Sequence, residues 1–210
     1  MRKQKLQPHQ LLQAIQFSER LVDTGLWIRS AEELEAAATV LEPEIRRYWA
    51  EIKVENRRVV QVPKRKCVQS QYLMLMAYAM ENYFKAILIH RNIDSLRGWL
   101  QSDLPCYIKT HNLVWLARES KIQLNTSEEE LLYRLWRYST WAARYPVPTG
   151  PDSLTAAKEL SDGRTYLMAG YGPADLDRIP RFAGRLRETV LKETESTATT
   201  PEGNAVPCES

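Results

Sequence analysis

The chain has 210 residues, 44% hydrophobic and 26% charged, the balance of a soluble globular protein of one domain with extensions. Its 29 Lys and Arg against 26 Asp and Glu leave a net charge of only +3, which excludes general attraction to nucleic acid or anionic membrane and requires any anion site to be local. Eight glycines favour helix over a turn-rich β fold.

Three unevenly spaced cysteines, Cys67, Cys106 and Cys208, give neither a disulfide framework nor a thiolate metal motif. They read as reduced thiols of a cytoplasmic protein. The basic start MRKQKLQPHQ runs into LLQAIQFSER, where Gln and Glu interrupt the apolar run that an export signal needs. No stretch reaches the roughly 18 apolar residues of a membrane span.

In chain order, residues 9–24 show helical spacing at Leu11, Leu12, Ile15, Leu21 and Val22. A second helix is expected from Ser30, with Glu33 as its capping-box partner and with Pro43 kinking or dividing it. The segment 56–69, charged, proline-broken and β-branched, reads as a connector or short extended piece. Its Lys64-Arg65-Lys66 run fits a solvated loop better than a phosphate contact. Residues 70–93 are the most apolar in the chain and predict a helix buried on most sides, the centre of the core. A short helix at 94–101 and a break at Pro105 follow. Thr110 is the expected cap of a helix carrying Leu113, Val114 and Leu116 inward.

The boundary at 126 is the sharpest. Thr126 and Glu129 stand in capping-box register, acidic residues fill the first turn, arginines come late, and Pro146 stops the helix. Residues 154–170 read as partly helical despite Gly163, 174–192 as an amphipathic helix with a break at Pro180, and 193–210 as a disordered tail. The domain reading is therefore an N-terminal helical extension at 1–62, a bundle at 63–150, a C-terminal extension at 151–192, and the tail.

On a helix through 144, Arg134, Arg137, Trp141 and Arg144 fall on one face, beside a core stripe of Leu131, Leu135, Tyr138 and Ala142. Guanidinium groups around an indole suit a phosphate and a stacked base. A solvated face, helped by Glu130 pairing with Arg134, stays open beside that reading. Arg144, on the last turn, also suits a plain C-terminal cap. On the apolar helix, Glu81 and Lys85 stand four apart on the face of Met74, Tyr78 and Leu88. If buried, that pair needs further partners, for which Arg144, Asn82 and His111 are candidates. Of the three histidines, His9, His90 and His111, His111 follows Thr110 at the start of a helix, where it suits either a hydrogen bond within the bundle or an ordinary capping turn. Cys106 and His111 alone do not make a metal site, and no Gly-rich phosphate loop is present.

The runs YAMENYFKAILIHRNI, KTHNLVWLARES and LLYRLWRYSTWAARYP, in that order, resemble the HEPN domain family over about residues 70–150. Members show a Glu…Leu-Lys-Ala-Leu helix, a Thr-His-Asp-Leu helix start and an Ala-Arg-Tyr-Pro helix end. Here Asn112 stands for the Asp, and Phe84 for the Leu before Lys85. The resemblance implies an all-α, up-and-down antiparallel bundle of four or five core helices. It further implies homodimers, a possible cognate protein partner, and toxin–antitoxin, defence or nucleotide-binding settings, with no metal or organic cofactor and no membrane. By the same resemblance Glu81, Lys85, His111, Arg144 and Tyr145 cluster at the helix ends, with Arg137 and Trp141 extending the surface. Nuclease members place a His after four to six residues following the Arg, but Thr149, Gly150 and Pro151 stand at those positions here. The expected function is nucleotide or RNA phosphate binding. A metal-independent ribonuclease with an altered site and a structural adaptor without ligand are the alternatives.

Overall fold

The computed structural model describes residues 7–56, 58–97, 104–144, 157–160, 163, 165–167 and 171–198. The fold is all-α. Helix α1 (Pro8–Val22) is followed by α2 (Thr24–Ala50), the hairpin β1 (Lys53–Glu55) and β2 (Arg58–Gln61), and the central α3 (Gln69–Arg91). Short helices α4 (Ile93–Leu96), α5 (Cys106–Lys109) and α6 (Leu113–Glu119) lead to α7 (Thr126–Arg137), which continues as a π-helical turn, Tyr138–Ala142. A second hairpin, β3 (Ala157–Glu159) with β4 (Thr165–Leu167), precedes α8 (Asp175–Ala198).

Fourteen of the 23 residues of α3 are buried, so a helix apolar all round sits where neighbours cover every side. Cross-helix pairs fix the directions of those neighbours. Arg46 meets Asp177, and Arg187 meets Glu35, so α2 and α8 run antiparallel. Phe84 packs on Phe182 and Arg91 pairs with Glu193, so α3 and α8 run together. Arg134 meets Asp175 while Arg178 reaches back to Ser127, so α7 opposes α8. The four long helices α2, α3, α7 and α8 thus alternate in direction, as an up-and-down bundle requires.

One apolar cluster joins Ile28, Ala31, Ala38 and Ile45 of α2 to Met80 and Phe84 of α3, Leu116 of α6, Leu131 and Leu135 of α7, and Ile179, Phe182 and Leu186 of α8. The segments expected as N- and C-terminal extensions therefore supply core walls.

Several boundaries differ from expectation. The second helix starts at Thr24, where Asp23 accepts a hydrogen bond from the Leu26 amide at 3.3 Å, so Ser30 and Glu33 lie inside it. Pro43 does not divide α2, nor Pro180 α8, because both helices are held along their length by packing on α3. The segment after Ala50 is a hairpin, with Asn56 at φ 49 in the turn. Its exit is tied down by Arg65, which pairs with Glu44 and Glu51 at the end of α2. Residues 157–160 and 165–167 belong to a hairpin and not to a helix; Gly163, at φ 80, supplies the left-handed residue its turn uses. Helix α8 reaches Ala198, so 193–198 are not tail, and residues 199–210 lie outside the described ones. Among the described residues no helix is long and apolar enough to cross a membrane.

Candidate functional site

The site begins with a carboxylate inside the bundle. Glu81 is 5% exposed and Lys85, one turn on, 4%, and Lys85 Nζ lies 2.5 Å from Glu81 Oε1. A buried ion pair is tolerated only when its remaining lone pairs are used. Here the third group is His111, whose Nδ1 lies 2.9 Å from Glu81 Oε2 and 3.1 Å from Oε1. Nδ1–H therefore donates to the carboxylate, which fixes the tautomer of a neutral ring and leaves Nε2 as its other polar atom. The His111 side chain is 52% exposed, so this triad spans from core to surface.

His111 is placed by the start of α6. Asn112 is the N-cap, its Oδ1 accepting from the Trp115 amide at 3.0 Å, and the Thr110 hydroxyl accepts from the Asn112 amide at 3.1 Å. Thr110 was the expected cap. The cap lies two residues later because Asn112 takes the extended backbone that precedes the helix. Asn112 thus supplies the same kind of capping oxygen that an Asp would at this position.

Tyr78 carries the cluster to α7. Its ring lies edge-on to His111 with centroids 6.4 Å apart, and its hydroxyl donates to the Ser139 carbonyl at 2.9 Å. Arg144 Nη2 donates to the same carbonyl at 3.0 Å and to Thr140 O at 2.5 Å. The last carbonyls of a helix lack intrahelical donors, and Tyr78 and Arg144 supply them. Arg144 is thus both an exposed guanidinium and the C-terminal cap of its own helix. Glu81, Lys85 and His111 are in direct contact, and Arg144 joins them through Tyr78 and Ser139.

The arginine face read along α7 does not hold together. Arg134 side-chain exposure is 8%. Its guanidinium grips Asp175 with both ends, Nη1 to Oδ2 at 2.5 Å and Nη2 to Oδ1 at 2.8 Å, with Glu130 at 3.3 Å. It ties α7 to α8 and is no part of a ligand surface. Burial would raise the Asp175 carboxyl, but the Arg134 hydrogen bonds, the Gly172 amide and the charges of Arg134 and Arg178 outweigh it and hold it below the usual carboxylate range. The Glu130–Arg134 pairing expected one turn apart is present, secondary to Asp175.

The π-turn explains the rest. Each i→i+5 turn inserts one residue into the α-helical count, turning everything beyond it by roughly 100° relative to an α-helical extrapolation. Arg144 therefore leaves the face of Arg134 and shares the Ser139 carbonyl with Tyr78 of α3. Arg137 is half-buried on α7, and its carbonyl accepts from the Thr140 hydroxyl at 3.2 Å. Trp141 is described only as backbone of the π-turn, and Tyr145 and positions 149–151 lie outside the described residues.

Two groups escaped sequence reasoning. The Ser139 carbonyl that couples Tyr78 to Arg144 is backbone and carries no residue-type signal. Asp175 stands 41 residues from its partner, and its only local signal is an acid in the first turn of an amphipathic helix.

Comparison with protein-family models, with curated proteins and with solved structures finds no match to this chain.

Proposed function

We propose that the cluster of Tyr78, Glu81, Lys85, His111 and Arg144 binds a phosphate group of a nucleotide or of RNA, in a protein acting as a homodimer. The single observation carrying this reading is the link from a half-exposed imidazole, backed by a buried carboxylate, through Tyr78 and the Ser139 carbonyl to an exposed guanidinium. Glu81 orients His111 from behind, so Nε2 can meet a phosphate oxygen as a donor when the ring is protonated. Arg144, anchored through Nη2 to the end of its own helix, supplies the planar positive charge that suits a phosphate. Lys85 balances the buried charge of Glu81 and holds it in place, with no ligand contact of its own.

A second reading has one specific observation behind it. A carboxylate behind Nδ1 and an outward Nε2 is the arrangement of an oriented general base, and it is here without the family's His after the arginine. Metal-independent RNA cleavage would then run through His111, with Arg144 stabilising the developing charge at phosphorus.

One experiment separates binding, cleavage and a purely structural role. Thermal shift and calorimetric titration with nucleotides and short RNAs test affinity, and the same RNAs after long incubation with EDTA test cleavage. His111→Asn keeps a donor toward Glu81 and removes Nε2, and Arg144→Gln keeps one donor for the helix end. Phosphate binding predicts at least about a tenfold loss of affinity in Arg144→Gln, since a charge-assisted hydrogen bond contributes about 1.5–3 kcal/mol. Cleavage predicts intact RNA with His111→Asn. No ligand-induced shift and no cleavage in the unaltered protein would leave Arg144 as a helix cap and refute both.

A further inference from the structure

The β1–β2 hairpin has one open edge whose residues are complementary to themselves. Every residue of both strands is exposed, including Val54 at 59%, Val59 at 61% and Val60 at 53%. A two-stranded hairpin on its own is marginal in water and gains from added strands. Its two edges are not equivalent. Val54 pairs with Val59 and Glu55 with Arg58, but Lys53 pairs with Gln61, so Val60 is an extra residue on β2. That bulge and Pro63 just beyond it block the outer edge of β2. On β1 nothing of the kind interrupts Lys53-Val54-Glu55.

The backbone of β1 points the right way. Two residues, 56 and 57, connect the strands, so Glu55 and Arg58 close the hairpin and exchange both their hydrogen bonds. Alternation then aims the amide and carbonyl of Val54 at the free edge. An antiparallel copy placed about a two-fold axis at Val54 sets these groups against their own counterparts. The same operation puts Lys53 opposite Glu55 of the second copy, and Glu55 opposite its Lys53, on the face where Arg58 already flanks Glu55. On the other face, Val59, Val54 and their two counterparts form one continuous valine row.

We infer that the outer edge of β1 is a self-association surface: two copies of this chain pair antiparallel through Lys53-Val54-Glu55 into a four-stranded sheet, order β2-β1-β1-β2. The occupant is a second copy because the charge pattern matches its own reverse, the requirement for an isologous two-fold contact. A strand pairing this short belongs with weak interfaces below about 1,200 Å². It therefore acts at high protein concentration or adds to another contact between the same two copies. The inference stands apart from the phosphate contacts, since no residue is shared and ligand titration does not report on it, and it rests on the functional reading only in assigning an edge to the homodimer.

Sedimentation velocity on the full chain, across a concentration series, tests it with three proteins. The unaltered chain is expected to pass reversibly from monomer to dimer. Lys53→Glu turns the edge into Glu-Val-Glu and Glu55→Lys into Lys-Val-Lys, so each variant faces two like-charge pairs on itself. Each is expected to associate at least about fourfold more weakly, opposite pairs contributing roughly 0.2–1 kcal/mol each and like pairs opposing by similar amounts. An equimolar mixture of the two variants restores both opposite pairs and is expected to dimerise at least as well as the unaltered chain. Because these side chains are exposed, melting temperatures are expected to stay together, which checks folding. A chain that stays monomeric throughout, reversals without effect on the dimer, or a mixture no better than its components would each overturn the inference.

Discussion

Replacing Asp175 by Asn removes one charge and almost no volume from the joint between α7 and α8. In the native chain the Arg134 guanidinium is 8% exposed and its Asp175 partner 4%. Asp175 also accepts from the Gly172 amide at 3.0 Å and from Arg178 Nη1 at 3.0 Å. Asn can still accept one or two of these bonds, but it removes the carboxylate charge that Arg134 grips, while Glu130 stays at 3.3 Å. Unpairing a buried charge costs about 3–5 kcal/mol, and the residual Glu130 contact points to the lower end, about 3 kcal/mol. For a chain of this size each kcal/mol moves Tm by roughly 2–4 °C, so a drop of about 6–12 °C is expected.

The pH dependence gives an independent check. The folded protein holds the Asp175 carboxyl below its unfolded value. The stabilisation is therefore complete above the unfolded carboxylate pKa, about 3.9, and is lost as pH falls through the depressed folded value. Urea unfolding of both proteins between neutral pH and pH 3 is expected to show a gap that is constant in the neutral range and narrows only in acid. A variant within 1 kcal/mol of the native chain at pH 7, or a gap unchanged down to the acid limit, would refute the assignment of Arg134 and Asp175 as a buried clamp. Replacing both residues by apolar ones, Arg134→Met with Asp175→Leu, is expected to recover most of the loss, since no deeply buried charge is then unpaired and Arg178 and Glu130, which lose a partner, are both partly exposed.

Glu81→Gln sets amide donors against Lys85 Nζ and His111 Nδ1, so about 2–4 kcal/mol of stability is expected to go in urea unfolding, together with the fixed ring orientation seen in imidazole NMR. Pro43→Ala restores the missing amide donor within α2, and a gain of roughly 1–3 kcal/mol in thermal unfolding is expected, with the helix content unchanged.

The sequence by itself determined most of the helical segments, because helix formation depends largely on local periodicity, though 157–159 and 165–167, read as partly helical, pair as strands. The apolar run at 70–93 became α3, and an Asn-x-x-Glu capping box opens α7 at Asn125 and Glu128, one residue ahead of the Thr126–Glu129 register. It also put Glu81 and Lys85 on one face, since four residues is one helical turn. Only the tertiary structure decided what those side chains meet. Arg134 looks like a surface cation until Asp175 arrives from 41 residues away, and the π-turn at Tyr138–Ala142 shifts Arg144 off the face that an α-helical count assigns it. From backbone chemistry alone Pro43 reads as a kink or division and Pro180 as a break, yet packing against α3 outweighs one lost hydrogen bond in each helix. Helix formation is settled within a turn or two of chain, whereas the partners of a buried charge are settled by which helices the core draws together.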